Sequence, residues 1–390
     1  MTLSSIEKGA RRFPLYFDYQ STAPCATEVL EAMMPYWSEH FGNPSSKQSR
    51  SAIYASAAID LAREELASYF CVHPNRLIFT SGATESNNLA LLGYARAKAL
   101  TDGEYGHIIT LTTEHHSVLD PLSQLEEEGF RVTKLNPCPD GLINFEQFQD
   151  SIQEDTFLVS IMVANNEIGV VQPISKISNF CKEKGIIFHT DAAQAFGNIP
   201  LEKFHLFADF ITISSHKIYG PKGIGALIKP EHIEIQPLQW GGGQQMNLRP
   251  GTLPVPLIIG FHKAADIAIK DLSLTINDLE EKRNMLLNGI QKMLPNIIIN
   301  GSMDKRLPHN INVTISGING ASLHRNLRPY IECSNASACS NGKVSHVLKA
   351  IGRSSKEAES SLRLSVGRYT TKDEILEAID IISNVIRSLK

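Results

Sequence analysis

Short apolar runs alternate with amphipathic stretches between about residues 60 and 230. Apolar runs followed by a helical pattern are typical of repeated strand–helix units in a mostly parallel sheet. The predicted strands are "RLIFTS" (residues 76–81), "HIITLTT" (107–113), "TFLVSIMVA" (156–164), "IIFHTD" (186–191) and "DFITISS" (209–215). The predicted fold class is therefore α/β.

Helical periodicity marks the intervening and terminal segments. In "PISKISNFCKEKG", Ile174, Ile177 and Cys181 recur on one face, and Gly185 supplies a stop. The last helix is predicted from a capping box at residues 371–374, followed by the apolar positions Ile375, Ile379, Ile382, Ile386 and Leu389.

The pattern changes after about residue 260, where a long helical stretch (257–294) leads into a mixed region. We predict a large domain over residues 16–260 that binds the ligand. A smaller α+β domain would span residues 261–390 and be completed by residues 1–15. No internal repeat or low-complexity linker interrupts this arrangement.

The composition is that of an ordinary globular protein, with 390 residues, 42% hydrophobic and 20% charged. A formal net charge of −4 gives no reason to expect nucleic acid or an anionic membrane as a direct partner. No apolar run approaches the roughly 20 residues of a membrane span, and the N-terminus lacks a secretory apolar region. We therefore expect a cytoplasmic protein. Six cysteines without C-x-x-C spacing argue against a zinc site or disulfide framework, so no metal is predicted.

Polar groups follow all five predicted strands. The sequences at these positions are "SGATESNN", "EHHS", "NNEIG", "DAAQ" and "SHK". Ligands of open α/β sheets bind beyond the carboxyl ends of the strands. Together these groups predict a site for a small anionic, aromatic, hydrogen-bonding ligand.

Each of these groups also has a simpler interpretation. Ala83 and Thr84 stand where a helix should begin and could hold an anion, or the helix could be a capped surface helix. His115 could stack on a flat ring or exchange protons, although a loop histidine is usually structural or solvated. Asp191 could pair with a cationic ligand nitrogen, with Gln194 adding a hydrogen bond, or merely cap the next helix.

Lys217 in "SSHKIYGPKGIGAL" allows three interpretations. A phosphate-binding P-loop needs its lysine after the glycines, which is not the order here. A solvated surface lysine is the simplest alternative. The third is a Schiff-base lysine that condenses with an aldehyde. Pyridoxal 5'-phosphate (PLP) needs a lysine, a carboxylate for the ring nitrogen, a phosphate cup and a stacking partner. Because all four are present, we favour PLP.

Several long motifs carry a resemblance to a known family. They are "SGATESNNLAL", "NNEIGVVQPI", "HTDAAQA", "SSHKIYGPKGIGAL", "RPGTLPV" and "SSLRLSVGRYTT". They resemble the NifS/IscS-like cysteine desulfurases, within the class V aminotransferase group of fold-type I PLP enzymes. The resemblance runs from about Tyr16 to the C-terminus, and it implies a fold-type I PLP-dependent transferase.

The resemblance implies a role for each matching position. Lys217 would bind PLP covalently, Asp191 would pair with the ring nitrogen, and His115 would stack on the ring and help with proton transfer. The other implied contacts are Gln194 to the ring oxygen, Asn166 to ring and substrate, Ala83, Thr84, Ser214 and His216 to the phosphate, Thr252 to the phosphate of a second subunit, and Arg363 to the substrate carboxylate. The protein would thus be a homodimer with shared sites.

Cys339 in "SNASACSNGKVSHVL" matches the nucleophilic cysteine of similar enzymes. The implied reaction removes sulfur from L-cysteine, leaving L-alanine and a persulfide on Cys339. That sulfur would pass to a protein acceptor, a scaffold or a carrier. Iron–sulfur cluster assembly, tRNA thiolation, other thiocofactors and DNA phosphorothioation all remain open as the pathway.

Three departures from the family pattern and three alternatives accompany this interpretation. "NPSSKQSRS" lacks the usual histidine, and "DYQSTAPC" replaces a commoner "D-x-x-A-T-T-P". The sequence from Cys339 to Val347 is also slightly shorter than in housekeeping members of the family, which bears on the acceptor protein that docks there. A selenocysteine lyase or a small-amino-acid aminotransferase would share Lys217 and Asp191, but an aminotransferase has no need of Cys339. A PLP-binding scaffold without turnover is disfavoured by the intact lysine, aspartate, cysteine and arginine.

Overall fold

The computed structural model describes residues 14–46, 48–200, 202, 208–335 and 344–389. In chain order the strands are β1 (Leu15–Tyr16), β2 (Leu77–Thr80), β3 (His107–Leu111), β4 (Arg131–Leu135), β5 (Thr156–Ser160), β6 (Ile187–Asp191), β7 (Phe210–Ser214), β8 (Gly225–Ile228), β9 (Ile297–Ile299), β10 (Asn310–Ile315), β11 (Ile331–Glu332), β12 (Ser334–Asn335) and β13 (Ser361–Ser365). The α-helices are α1 (Thr27–Met33), α2 (Pro35–Ser38), α3 (Arg50–Ser68), α4 (Ala83–Asp102), α5 (His116–Glu128), α6 (Phe145–Asp150), α7 (Ile174–Lys184), α8 (Val255–Lys270), α9 (Leu272–Met293), α10 (Gly320–Leu327), α11 (His346–Ala350), α12 (Ser355–Glu359) and α13 (Lys372–Leu389).

The large sheet has the strand order β2-β8-β7-β6-β5-β3-β4. The strands β2 to β7 share one direction, and only β8 runs antiparallel to its neighbours β7 and β2. The predicted α/β class with a mostly parallel sheet is confirmed. All five predicted strands form, each shorter than expected, whereas β4 and β8 were not predicted.

Helices cover both faces of this sheet. Ile108 of β3 packs in a layer with α4 and α5, whereas its neighbour Ile109 packs in a layer with α1, α3, α7 and α8. Successive strand residues point to opposite faces, so a sheet covered on both sides needs apolar residues throughout. This explains why the central strands read as continuous apolar runs.

A smaller antiparallel sheet has the order β12-β13-β10-β9. Buried residues of α9, α10 and α13 form a second core with β10 and β13. Leu15 of β1 pairs in parallel with Ile331 of β11 and joins this core. The first described residues therefore pack with the C-terminal part of the chain.

Helix ends follow the sequence signals where side chains or glycine supply them. Gly185 ends α7 with φ +70°, as predicted. Thr371 and Glu374 exchange hydrogen bonds at the start of α13, confirming the predicted capping box. No helix within the described ranges is both long and apolar enough to cross a lipid bilayer.

The helical stretch predicted over residues 257–294 forms, as two helices, α8 and α9. Asp271, with φ −105° and ψ 18°, leaves the helical region between α8 and α9. Ala268 of α8 still packs in the core of the large sheet, whereas Leu279 of α9 packs in the second core. Residue 260, the predicted domain boundary, lies inside α8, and we propose the break at Asp271 as the place where the two cores part.

Candidate active site

A cavity of about 450 Å³ lies where the carboxyl ends of β2, β3, β5, β6 and β7 converge. This is where open α/β sheets bind ligands, and the volume suits a small cofactor with a substrate. The residues predicted from the sequence that line it are Ala83, Thr84, His115, Asn166, Asp191, Gln194, Ser214, His216, Lys217 and Arg363.

The start of α4 presents backbone N–H groups to this cavity. Ala83 opens the helix, and the first N–H groups of a helix have no acceptor within it. A Cβ at Gly225 would lie 2.8 Å from the Cα of Gly82, so glycine there lets β8 approach the turn closely. Glu85 in the same turn accepts hydrogen bonds from Arg249 (2.9 Å) and from the backbone of Ser81 (2.6 Å). Because Arg249 offsets the negative charge of Glu85, the N-terminus of α4 can hold an anion.

Asp191 ends β6 and is buried against an amide. Nδ2 of Asn87 donates to its Oδ2 at 2.7 Å, and the backbone N–H of Ala193 donates to its Oδ1 at 2.9 Å. The same Asn87 nitrogen donates to Oγ of Ser117 at 2.8 Å. The side-chain amide of Asn87 therefore holds both Asp191 and the first turn of α5, the helix that His115 caps.

His115 is held in one tautomer. The backbone N–H of Ser117 donates to its Nδ1 at 3.1 Å, and Oγ of Ser117 lies 2.8 Å from the same nitrogen. Because Nδ1 is an acceptor, we assign the proton of the neutral ring to Nε2. Burial lowers the pKa of His115, and the nearby Lys217 lowers it further against the opposing effect of Asp191. His115 is therefore neutral at pH 7.

Lys217 follows β7 in a single 3₁₀ turn and lines the cavity. Its Nζ donates to the carbonyl oxygens of Gln20 and Ser21, both at 2.7 Å. Gln20 is itself fixed, since its backbone N–H donates to Oγ of Ser365 and its Nε2 to the carbonyl of Asn165. The amine is thus oriented by fixed carbonyls and does not point into bulk water.

Three buried polar atoms in the cavity wall lack a partner within the described structure. They are Oγ of Ser214, Oδ1 of Asn166 and Nε of Arg363. An unpaired buried polar atom costs roughly 1–3 kcal/mol, which a bound ligand can recover. Beside them, Nδ1 of His216 lies 3.1 Å from Oγ1 of Thr22, and burial lowers the pKa of His216 to about 4.

Arg363 of β13 extends from the small sheet into the cavity wall. Its NH1 donates to the carbonyl of Asn166 at 2.8 Å, and its NH2 donates to Oγ of Ser334 at 2.7 Å and to Oδ1 of Asp18 at 2.8 Å. Its buried Nε has no partner in the described part of the chain. A carboxylate ligand could use that nitrogen, and Asp18 keeps the guanidinium oriented.

Two predicted residues are not among the cavity-lining residues. Thr252 is exposed and outside the cavity wall, so its contact with a second subunit stays a prediction. Cys339 lies outside the described residues. Its role as nucleophile likewise stays a prediction.

The structure adds contacts that the sequence analysis missed. Asn87 follows Ala83 by one helical turn on the same face, which would have placed it near the strand ends. Ser117 is the second residue of α5, and its backbone N–H donates to the ring of His115, which caps that helix. Asp18 and Gln20 lie in "DYQSTAP", and nothing local indicates that the N-terminal segment reaches this cavity.

Comparisons with known proteins agree with this geometry. Residues 15–377 match the family model described as aminotransferase class-V. The cysteine desulfurase IscS of Rickettsia rickettsii (strain Iowa) is 41% identical over 381 residues, covering 97% of this chain and 92% of that protein. A solved NifS-like protein superposes with a TM-score of 0.89 at 34% identity, covering 97% and 100% of the two chains. A structure described as SspA in complex with cysteine gives 0.75 at 38% identity, covering 91% and 99%.

The chain belongs to the aminotransferase class-V family. Within that family it is similar over nearly its whole length to cysteine desulfurases. These enzymes are PLP-dependent, and PLP is the cofactor. The residues present fit that group, because the open N–H groups of α4 and the unpartnered Oγ of Ser214 offer donors for a phosphate at one side of a cavity that also holds Lys217 and Asp191.

Proposed function

We propose that the protein is a cysteine desulfurase that converts L-cysteine to L-alanine and carries the sulfur as a persulfide on Cys339. The observation that supports this most directly is one cavity lined by the Lys217 amine, the Asp191 carboxylate and the Arg363 guanidinium. An amine, an acid for a ring nitrogen and a carboxylate clamp are the groups that PLP chemistry on an amino acid requires.

Different residues of the cavity would hold different parts of the cofactor. Lys217 would form the covalent bond, and Asp191 would hold the proton of the ring nitrogen. The neutral ring of His115 would stack on the ring face. The N–H groups of Ala83 and Thr84, together with Ser214 and His216, would hold the phosphate. PLP, when bound, supplies an electron-accepting ring that stabilises negative charge on the substrate α-carbon.

The chain's own groups then bind the substrate and move its proton. Arg363 offers its unpartnered Nε to the substrate carboxylate, while Asn166 contacts the substrate beside it. Nζ of Lys217 is the base for the proton on the α-carbon, because the amine that binds the cofactor lies next to the substrate once the substrate has taken its place.

The sulfur transfer balances without an external oxidant. The Sγ thiolate of Cys339 attacks the substrate sulfur, so that a sulfur–sulfur bond forms and the substrate Cβ–S bond breaks. The electron pair of the broken bond stays with the carbon skeleton, which takes up a proton and leaves as L-alanine. A protein acceptor, a scaffold or a carrier, would then receive the persulfide sulfur.

A homodimer is part of this proposal. Thr252, predicted to reach a second subunit, is exposed, as are Met34, Trp37 and Phe41 near the start of the chain. Large exposed apolar side chains are typical of surfaces covered by a partner. Sedimentation should give twice the chain mass of 43.0 kDa, and a monomer would refute the dimer.

The cytoplasm is the proposed location. The cysteines described as free are Cys25, Cys71, Cys138, Cys181 and Cys333. Free thiols suit a reducing compartment.

The function is tested by incubating the purified protein with L-cysteine and a reductant. We expect equal amounts of sulfide and L-alanine, with Cys339→Ser losing sulfide production. Cys71→Ser, at an exposed thiol, is the matched control and should retain it. Lys217→Ala should lose the absorbance of protein-bound PLP. Full activity of Cys339→Ser would exclude Cys339 as the nucleophile, and a Lys217 left unmodified by borohydride treatment would exclude the covalent cofactor bond.

A further inference from the structure

Helix α11 is anchored to the large sheet at the edge of the cavity. Ser345, six residues after Cys339, caps the helix by accepting the N–H of Leu348 at 3.0 Å. The hydroxyl of Ser345 donates to Oε2 of Glu167 at 2.5 Å. One residue later, Nε2 of His346 lies 3.0 Å from the carbonyl oxygen of Glu114.

An apolar cluster supports the same contact. It consists of Ile168, Val170, Val347, Leu348, Ile351 and Ala358, all buried. The first two belong to the segment after β5, and the others to α11, its C-terminal cap and α12. The start of α11 is thus packed against the segment that follows β5 as well as hydrogen-bonded to it.

Both anchor residues adjoin predicted site residues along the chain. Glu167 follows Asn166, and Glu114 precedes His115. Glu167 cannot shift freely, because its backbone N–H donates to Oδ1 of Asn165 at 2.8 Å and its carbonyl accepts from Asn312 at 3.1 Å. The anchor on the sheet side is therefore fixed relative to the cavity.

Burying the carboxyl group of Glu167 at this position lowers the free energy of unfolding. The residue is buried with 8% exposure, and the described structure gives it no ion pair. Burial raises its pKa to about 7, against the opposing effects of the Ser345 hydrogen bond, Arg363 and His116. An apolar residue of similar size would be expected to stabilise the fold more. A cost to stability at a cavity edge is typical of a functional position.

We propose that Glu167 and Ser345 form a positioning contact that fixes the start of α11 beside the cavity, so that the chain leading back to Cys339 begins from a defined point. This inference rests on the proposed function. The contact does not touch the substrate, so it should matter for sulfur transfer to Cys339 and not for binding of L-cysteine.

The experiment separates those two steps in the PLP-loaded enzyme. Mixing with L-cysteine gives an absorbance change that reports substrate binding, and mass spectrometry of the quenched protein gives the persulfide on Cys339. In Ser345→Ala we expect persulfide formation to slow by about ten- to a hundredfold, the effect of a misplaced reacting group. The concentration of L-cysteine giving half the absorbance change should stay within about twofold of the parent.

Variants at Glu167 test the contact from the other side. Glu167→Gln keeps an acceptor oxygen and should stay within about threefold of the parent rate, whereas Glu167→Leu should be as slow as Ser345→Ala. The double variant Glu167→Leu with Ser345→Ala should be no slower than either single variant, because both remove the same interaction.

Thr371→Ala is the matched control. Thr371 forms the capping box of α13 with Glu374, away from the cavity-lining residues and from the apolar cluster, so this variant loses a cap of the same kind without loosening the anchor. Equal slowing in Thr371→Ala and Ser345→Ala, or a parent-like persulfide rate in Ser345→Ala, would overturn the inference. A parent enzyme that forms no persulfide at all would instead refute the proposed function on which it rests.

Discussion

The side-chain amide of Asn87, which the sequence analysis did not single out, links two predicted site residues. Its Nδ2 donates to both Asp191 and Ser117, and Ser117 in turn holds the ring of His115. The carboxylate that we propose for the ring nitrogen and the imidazole that we propose for the ring face are therefore linked through a single residue. Hydrogen bonds to a charged acceptor contribute roughly 1.5–3 kcal/mol, about twice those between neutral groups.

Asn87→Ala should weaken PLP binding by about tenfold or more, because Asp191 loses a charge-assisted hydrogen bond and a fixed position. The measurement is the dissociation constant of PLP, from fluorescence quenching of the apo-protein. Asn326→Ala removes an amide that donates to the carbonyl of Ser322 on the exposed surface of α10 and should leave PLP affinity unchanged. Unchanged affinity in Asn87→Ala would contradict the role given to this amide.

At the scale of the elements, the edge strand β2 is covered by a side chain. Oε1 of Gln245 accepts the N–H of Phe79 at 2.7 Å, and its Nε2 donates to the carbonyl of Phe79 at 2.8 Å. The backbone at residues 245–247 has φ between +49° and +64°, a left-handed run without glycine. Such conformations cost energy for residues with a Cβ, so the contact with β2 helps to hold this turn.

Gln245→Ala should release the turn and expose the edge of β2, because an unpaired strand edge is left facing solvent. We expect faster hydrogen exchange at the Phe79 amide and at the backbone amides of residues 245–247. Gln147→Ala, at an exposed position in α6, should change neither measurement. Parent-like exchange at Phe79 would show that the strand edge does not depend on Gln245.

The elements differ in how far the sequence could predict them. The five predicted strands are mostly apolar because both faces of the sheet are covered, and their ends carry the polar residues that meet at the cavity. Strand β8 escapes prediction because it has four residues, begins with Gly225 and runs antiparallel. The contacts of Asp18 and Gln20 depend on tertiary packing across more than one hundred residues, which no local pattern reports.

At the scale of the whole molecule, the site unites three parts of the chain. Gln20 from the N-terminal segment donates to Asn165 and accepts from Asn310, while Arg363 from the small sheet donates to Asn166. Such buried polar networks resist partial opening, because each broken bond leaves a polar group unpaired.

Acid should destabilise the molecule through its buried histidines. His189 in β6 is fully buried between Ser160 and Thr212, and burial lowers its pKa from 6.5 to about 3. The unfolded chain therefore binds a proton that the folded chain does not between pH 6.5 and 3. Stability is lost as pH falls below about 6.5, by about 2 kcal/mol at pH 5 for this group.

His189→Gln should reduce the drop in the thermal midpoint between pH 7 and pH 5, since the titrating group is gone. His40→Gln, at an exposed position, should show the full drop of the parent. If His189→Gln lost as much stability at pH 5 as the parent, burial of this imidazole would not be a source of acid lability.

The pairing of β1 with β11 has a consequence for synthesis on the ribosome. Leu15 is made early, yet its partner Ile331 lies more than three hundred residues later. While translation proceeds, the large sheet can assemble, but β1 has no strand to pair with until Ile331 is made. The carbonyls of Gln20 and Ser21, which accept hydrogen bonds from the Lys217 amine, follow β1 closely. The backbone N–H of Gln20 is held by Ser365, which is made later still. A newborn chain can therefore acquire its final arrangement around this amine only near the end of translation.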